Sequence, residues 1–543
     1  MSLLRVRYSG QSHVVPFGTT PEPWADEATA AVLVNGRLAS LTQPLVSEGT
    51  VDPVGLDTRL GHRVYRRTLG FLLELARRKV ADLPRWALGP STGGAHEFDT
   101  WDGHPLADAQ LVALRQALAA LIEANLALEP ATLPYQEALE ALDHPDDDDV
   151  RLFLSQKNPS EVTLIRCGDT LAWGPDPLLP RTGRANVWSL DPGPRGVILG
   201  FPQKQWPLVL ASSRSSPSVA RALAEDRSWG KNQGVTTGVR LNALASQPTR
   251  VEAFIQGAEA VHERKIAALA DAIVQKSAKI VLVAGPSSSG KTTFAKRLAV
   301  QLQACGRQPL AVSLDDYFVN REDTPRDAEG RFDYEALEAM DRGRLADDLA
   351  VLLAEGTAVL PLYDFKTGRR KSEGRPYRLG SAGVLILEGI HGLNRDLWKA
   401  RPDQGCFTIF VSALTSLTRE GRSRISTSDH RLIRRLVRDR QFRGYSALQT
   451  LKQWASVRRG EDAHLFPFQD SADGIFNSAL PYEFAVLREA AIPLLESVPP
   501  TEPEYPQARF LRSFLDDFIP IPARLVPPFS LLREFLGQSG FHY

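Results

Sequence analysis

The chain has 543 residues, more than one hydrophobic core holds, and that length suggests three or four domains. Its 64 Lys+Arg balance 64 Asp+Glu, so the overall charge points to neither nucleic acid nor membrane, and any anion-binding surface must be local. Three widely spaced cysteines, Cys167, Cys305 and Cys406, exclude a disulfide framework and a cysteine-rich zinc site and fit a reducing cytosol. No apolar run approaches the roughly 20 residues that span a bilayer. The opening MSLLRVRYSGQSH lacks a signal peptide's long apolar core, so a soluble, cytoplasmic protein is expected.

Residues 1–52 alternate in short segments, LLRVRY and AAVLVNGRL, broken by Pro and Gly, which predicts a small β-rich domain. From about Asp57 the period turns helical, with Tyr65, Leu69, Leu72, Leu73 and Ala76 on one face. A second helix is predicted over Asp108–Leu128. The acidic run DHPDDDD at 143–149 reads as a solvated loop in preference to a metal site. Residues 150 to about 235 are rich in Pro, Gly and β-formers, with VTLIR and GVILGF as strands. A long amphipathic helix over 250–277, either an interdomain strut or a dimer contact, leads into the buried-strand pattern KIVLVAG. Beyond it PLAVSL, GVLILEG and CFTIFVS alternate with helical stretches, which predicts an α/β fold with a parallel sheet.

The strongest chemical signal is GPSSSGKTT, which satisfies GxxxxGK[ST] between an apolar strand and the helical FAKRLAVQLQ. Gly285 and Gly290 let the backbone of Ser287, Ser288, Ser289 and their neighbours curl its N–H groups toward phosphate oxygens, and the helix start that carries Thr292 and Thr293 adds its positive dipole end. Lys291 supplies a mobile charge for the β and γ phosphates of ATP, and the Thr292 hydroxyl is placed to ligand Mg2+. After AVSL come Asp315 and Asp316, at the carboxyl end of a strand where open α/β sheets bind ligands. Either Asp would serve as a helix N-cap, but the pair favours a base that orients an acceptor hydroxyl. Glu388 closes GVLILEG, where an acid holds magnesium through water or positions the nucleophile. Arg431, Arg434, Arg435 and Arg438 then share a helical face with few interleaved acids, which predicts a lid closing over phosphates.

Taken in order, GPSSSGKTT, LDDYF, GRFDYEALEAMD, LPLYDF, LILEGIHGLN and RLIRRLVRD resemble the uridine kinase and phosphoribulokinase family over about 278–490. The resemblance implies a P-loop kinase using ATP and Mg2+, with a nucleoside as the small-molecule substrate. It implies Asp315 as catalytic base, with Lys291 and Glu388 beside it. On the substrate side it implies Asp316, Tyr317, an acid near the ribose at Glu335, a base-stacking pocket at Tyr363 and Phe365, and Arg431 with the arginines after it. Uridine kinases carry a His a few residues after YDF, whereas this chain runs LYDFKTGRR with Gly368 or its neighbours there, so the likeness does not extend to the choice of pyrimidine.

Residues 1–52 resemble a TGS domain, a small β-grasp module of threonyl-tRNA synthetases and some GTPases. LGHRVYRRTLGFLLELA resembles a subset of bacterial nucleoside kinases in which a synthetase editing-like α+β region, here 53–240, precedes the kinase. The remaining divisions are a helical connector at 241–277, the kinase at 278–498 and a helical extension at 499–543 to which no chemistry is assigned. The editing site needs two His four apart, a Cys and a further His. This chain offers only His62 near the matching helix and WALGPSTGGAH downstream, so His62 and His96 are read as structural and the front half as a binding or regulatory module. An RNA contact through it, and oligomerisation, are left open. Three rivals are weighed against a nucleoside kinase: a GTPase, whose DxxG is met by the DAEG at 327–330 but whose NKxD is missing, an RNA-linked regulator that only binds ATP, and a kinase of another small alcohol.

Overall fold

The computed structural model describes residues 2–542 except 92–93, 175–176, 204–208, 212–215, 328–329, 331, 365–366, 395–396, 398–404 and 424. The front half opens on a five-stranded sheet in the order Gln11–Pro16, Leu3–Tyr8, Gly49–Gly55, Thr29–Val34, Arg37–Ala39, with a parallel pair, Leu3–Tyr8 and Gly49–Gly55, inside it. Its alternating residues Leu4, Val6, Val32 and Val51 form a small core. A larger core joins Ala30, Ala31 and Val54 to the helices Arg59–Lys79 and Asp108–Glu123, so the chain's first two regions share packed side chains. The helix expected to reach Leu128 stops at Glu123, because Asn125 takes a positive φ of 44° and Leu128 already begins a strand.

The acidic run is not solvated throughout. Asp148 and Asp149 open the helix Asp148–Lys157, where carboxylates complement the helix dipole. Asp147 and Asp149 are buried, at 1% and 2% exposure. Asp147 pairs with Arg78 at 2.9 Å and with Arg422, so it ties the front half to the second half, and Asp149 pairs with Arg240 at 2.7 Å. Among the described residues no cluster of His, Cys, Asp and Glu is arranged to hold a metal ion, and no helix is long and apolar enough to cross a membrane.

The second half is built on a five-stranded, wholly parallel sheet in the order Gln308–Ser313, Gly383–Glu388, Ile280–Ala284, Cys406–Ser412, Gly474–Asn477. Both neighbours of the central strand are mostly apolar and buried along their whole length, as a sheet covered on both faces requires. The long helix, Pro248–Gln275, buries Val251, Phe254, Ile255, Ala258, His262, Ile266, Ala270 and Ile273 along one stripe. That stripe belongs to the core of this half together with Phe294 and Leu298 of the following helix, Lys291–Ala304. The same core takes in Leu511, Leu515, Leu531, Leu532 and Phe535 from the C-terminal extension.

Candidate active site

The central strand ends at Ala284, and Gly285–Thr293 curls from it into the helix Lys291–Ala304. Ser288 and Gly290 adopt φ of 58° and 86°, the left-handed turns of a phosphate loop, while the Ser287 amide donates to Glu461 Oε1 at 2.8 Å. A side chain at Gly285 would place its Cβ 2.1 Å from the Val411 carbonyl oxygen, so only glycine fits. The hydroxyls of Ser288 and Ser289 are buried with no hydrogen-bond partner among the described residues, as suits groups lining an anion cradle. Lys291 Nζ rests on the Pro286 carbonyl at 3.2 Å.

Two further strand ends complete the mouth of this cradle. Glu388, 8% exposed, accepts hydrogen bonds through Oε1 from Thr292 Oγ1 at 3.2 Å and Ser313 Oγ at 3.1 Å. Ser313 caps the single 3-10 turn Leu314–Tyr317 by accepting from the Asp315 amide at 3.3 Å, which leaves the Asp315 carboxylate free of the capping role. Burial pushes the Asp315 carboxyl up, opposed by the charges of Lys291, Arg443 and Arg438. Glu388 is likewise raised by burial and then by repulsion from Asp315. Glu335 is pushed up to about 7 by burial and by the nearby Glu461 charge, with Arg435, Asp315 and Lys291 also in range. Lys291, Asp315, Glu388 and Glu335 thus form one electrostatic cluster at the carboxyl edge of the sheet, a setting that suits proton transfer at neutral pH.

Several expected roles change. Asp316 Oδ1 accepts the Tyr363 amide at 3.0 Å and so ties two loops together. Tyr317 is fully buried in the core beneath the site, its hydroxyl pushed up by burial and then by the Asp348 charge. Tyr363 is 8% exposed and packs edge-on against Phe318, 5.8 Å between ring centres, while Phe365 lies outside the described residues.

The arginine helix, Thr427–Arg438, corrects the lid expectation most. Arg431 has no exposure, grips Glu461 at 2.5 and 2.7 Å and donates to the Ser287 carbonyl at 2.9 Å. Arg434, equally buried, holds Glu483 at 2.6 Å and 3.1 Å and the Ser478 carbonyl at 2.8 Å, and also reaches the carbonyls of Ser288 and Ser289. These two are posts under the phosphate loop, because buried guanidinium groups held by fixed carboxylates cannot swing. Arg435 donates to Ser287 Oγ at 2.8 Å. Of the described arginines, Arg438, mostly buried, and Arg443 in the π-turn Asp439–Arg443 act on the Asp315 carboxylate by charge, and both pair with Asp439. Glu461, Glu483 and Glu534 had no assigned role in the sequence reading, and their spacing carries no signal that would have given them one.

The pattern of the Phosphoribulokinase / Uridine kinase family matches residues 280–482. A uridine kinase of Lactobacillus johnsonii is 30% identical over 195 residues, which cover 36% of this chain and 83% of that protein. The chain belongs to this family. A uridine kinase of Ligilactobacillus salivarius is 32% identical over 182 residues, covering 33% of this chain and 74% of its own. Among solved structures, a possible uridine kinase from Bacillus stearothermophilus overlaps 39% of this chain and 97% of its own at 20% identity, with a TM-score of 0.28. As a phosphoribulokinase/uridine kinase family member, the protein is an ATP-dependent kinase, and the matched span is the parallel-sheet half that carries the P-loop.

Proposed function

We propose that this kinase transfers the γ-phosphoryl group of ATP directly to the 5′-hydroxyl of a nucleoside. The observation that carries the proposal is the grouping of Lys291, Asp315 and Glu388 at the P-loop mouth, with Thr292 hydrogen-bonded to Glu388 at 3.2 Å. The residue types fit ATP with magnesium. Thr292 and Glu388 would hold the ion, which neutralises phosphate charge when bound. Asp315 orients the acceptor hydroxyl and takes its proton, and its raised proton affinity makes it a stronger base than a solvated aspartate. Lys291 offsets charge on the transferring group, with the charges of Arg438 and Arg443 also acting at Asp315. Glu335 is assigned to the sugar. Nucleoside as acceptor is supported by the uridine kinases among the relatives.

A second acceptor class is favoured by one feature. The Arg321 guanidinium crowds Gly368, whose added Cβ would lie 2.6 Å from Arg321 Nε, so a cation stands where a base-reading His was sought. A small alcohol bearing an anionic group suits that neighbour. For the front half we propose a TGS-like module at 1–52 and an editing-like region at 53–240 without chemistry of their own, followed by the connector at 241–277, the kinase at 278–498 and the extension at 499–543.

The deciding experiment is ATP consumption against a panel of ribonucleosides, deoxyribonucleosides and sugar phosphates, with Lys291→Ala as control. A Lys291-dependent signal with one nucleoside is the expected result. A signal with sugar phosphates alone would replace the nucleoside by the second class.

A further inference from the structure

The C-terminal extension reaches the phosphate cradle itself. Glu534 Oε2 accepts hydrogen bonds from both the Thr293 backbone amide, at 3.0 Å, and the Thr293 hydroxyl, at 2.7 Å. Three residues earlier Leu531 covers Gly290 so closely that an added Cβ would sit 2.2 Å from Leu531 Cδ2. The segment is firmly built in. Leu531, Leu532 and Phe535 have no exposure. The Phe535 ring lies 5.0 Å under the Arg434 guanidinium. Arg533 holds the turn by donating to the carbonyls of Ala523 at 3.0 Å and Val526 at 2.6 Å.

The two donors that Glu534 occupies belong to the first turn of the P-loop helix. Helix-start amides and the hydroxyl beside them are what a P-loop offers to nucleotide phosphate. A carboxylate and a phosphate cannot share them, because both are anions seeking the same protons. The competition extends to the neighbours: the Glu534 charge adds to the repulsion that raises Glu388 and favours the charged form of Lys296. Lys296 therefore offers the displaced carboxylate a cation on the same helix.

We propose that Glu534 is a residue of the nucleotide site. Its carboxylate occupies the Thr293 donors until nucleotide phosphate replaces it, so the C-terminal extension sets the affinity for ATP from inside the cradle. The proposal rests on residues 285–293 being the ATP site. No covalent step is involved, and one anion is exchanged for another.

The test uses the full chain and calorimetric binding of ATP-magnesium and of adenosine to wild type, Glu534→Gln, Glu534→Ala and Lys291→Ala. Gln keeps the size and one acceptor but removes the charge, so Glu534→Gln is expected to bind ATP about tenfold more tightly, charge-assisted hydrogen bonds being about twice as strong as neutral ones. Adenosine, which carries no phosphate, is expected to bind wild type and Glu534→Gln alike. Unchanged or weaker ATP binding by Glu534→Gln at an unchanged melting temperature would overturn the proposal. An equal gain for adenosine would overturn it too, by showing that space and not charge was released. If ATP binds wild type in a Lys291-dependent way but Glu534→Gln gains nothing, only the role of Glu534 fails. If no variant shows Lys291-dependent ATP binding, the ATP-site reading fails with it.

Discussion

Replacing Arg434 with alanine separates a structural post from a catalytic lid. The guanidinium and the Glu483 carboxylate are both without exposure, 2.6 Å apart, and burial already pushes the Glu483 carboxyl up against the opposing pull of Arg434. Removing one partner of such a pair leaves the other charge buried and unpaired, at a cost of about 3–5 kcal/mol. The carbonyls of Ser288 and Ser289 and the Phe535 ring lose their support as well. Arg434→Ala is therefore expected to lose about 3–5 kcal/mol in urea unfolding at pH 8. The loss should be smaller at low pH, where Glu483 takes up a proton. Arg434→Met combined with Glu483→Leu should recover most of it, since apolar residues of similar volume replace buried ion pairs at little cost. Arg438→Ala leaves Asp439 still paired with Arg435 and Arg443, so it should cost clearly less stability than Arg434→Ala while lowering turnover. Wild-type stability in Arg434→Ala, with turnover lost, would refute the reasoning and restore the lid.

Two other outcomes follow from the same geometry. Asp315→Asn should lower turnover by at least about 100-fold while ATP affinity changes less than about twofold, and normal turnover would remove Asp315 as the base. Glu335 titrates near 7 in the folded chain against 4.5 as its ordinary value, so the folded state holds this proton more tightly than the unfolded one. Stability should then fall as pH rises from about 4.5 to 7. Glu335→Gln, with no proton to lose, should match wild type near pH 4 and exceed it near pH 8 by about 2 kcal/mol, the full shift being reduced for partial solvent contact. Parallel melting-temperature profiles for the two proteins across that range would contradict this assignment.

The P-loop was legible because everything it needs is local: glycines where the backbone turns left-handed, a lysine, and a helix that starts on the same residues. The long helix before it was legible from its period, and the apolar strands from theirs. Whether that helix was a strut or a dimer contact was not, since an apolar stripe states that something covers it and not what. It packs on the P-loop helix. The arginine face shows the same limit more sharply. Spacing placed Arg431, Arg434, Arg435 and Arg438 together, and the scarcity of acids nearby suggested a mobile lid. The partners of the two most deeply buried, Arg431 and Arg434, stand 30 residues away at Glu461 and 49 away at Glu483, on two other helices.

The same reason explains the acidic run, whose Asp147 meets an arginine 275 residues further on, and the extension, whose Glu534 meets Thr293 across 241 residues. By itself the sequence determined the cradle, the parallel-sheet class and the candidate acids at the strand ends, because backbone curvature, periodicity and helix dipoles act between near neighbours. Which charges are buried, which carboxylate faces which cation, and which segment closes the nucleotide site were decided only by tertiary structure. Pairing of charges depends on distance in space and exclusion of water, and neither is written in the spacing of residues along the chain.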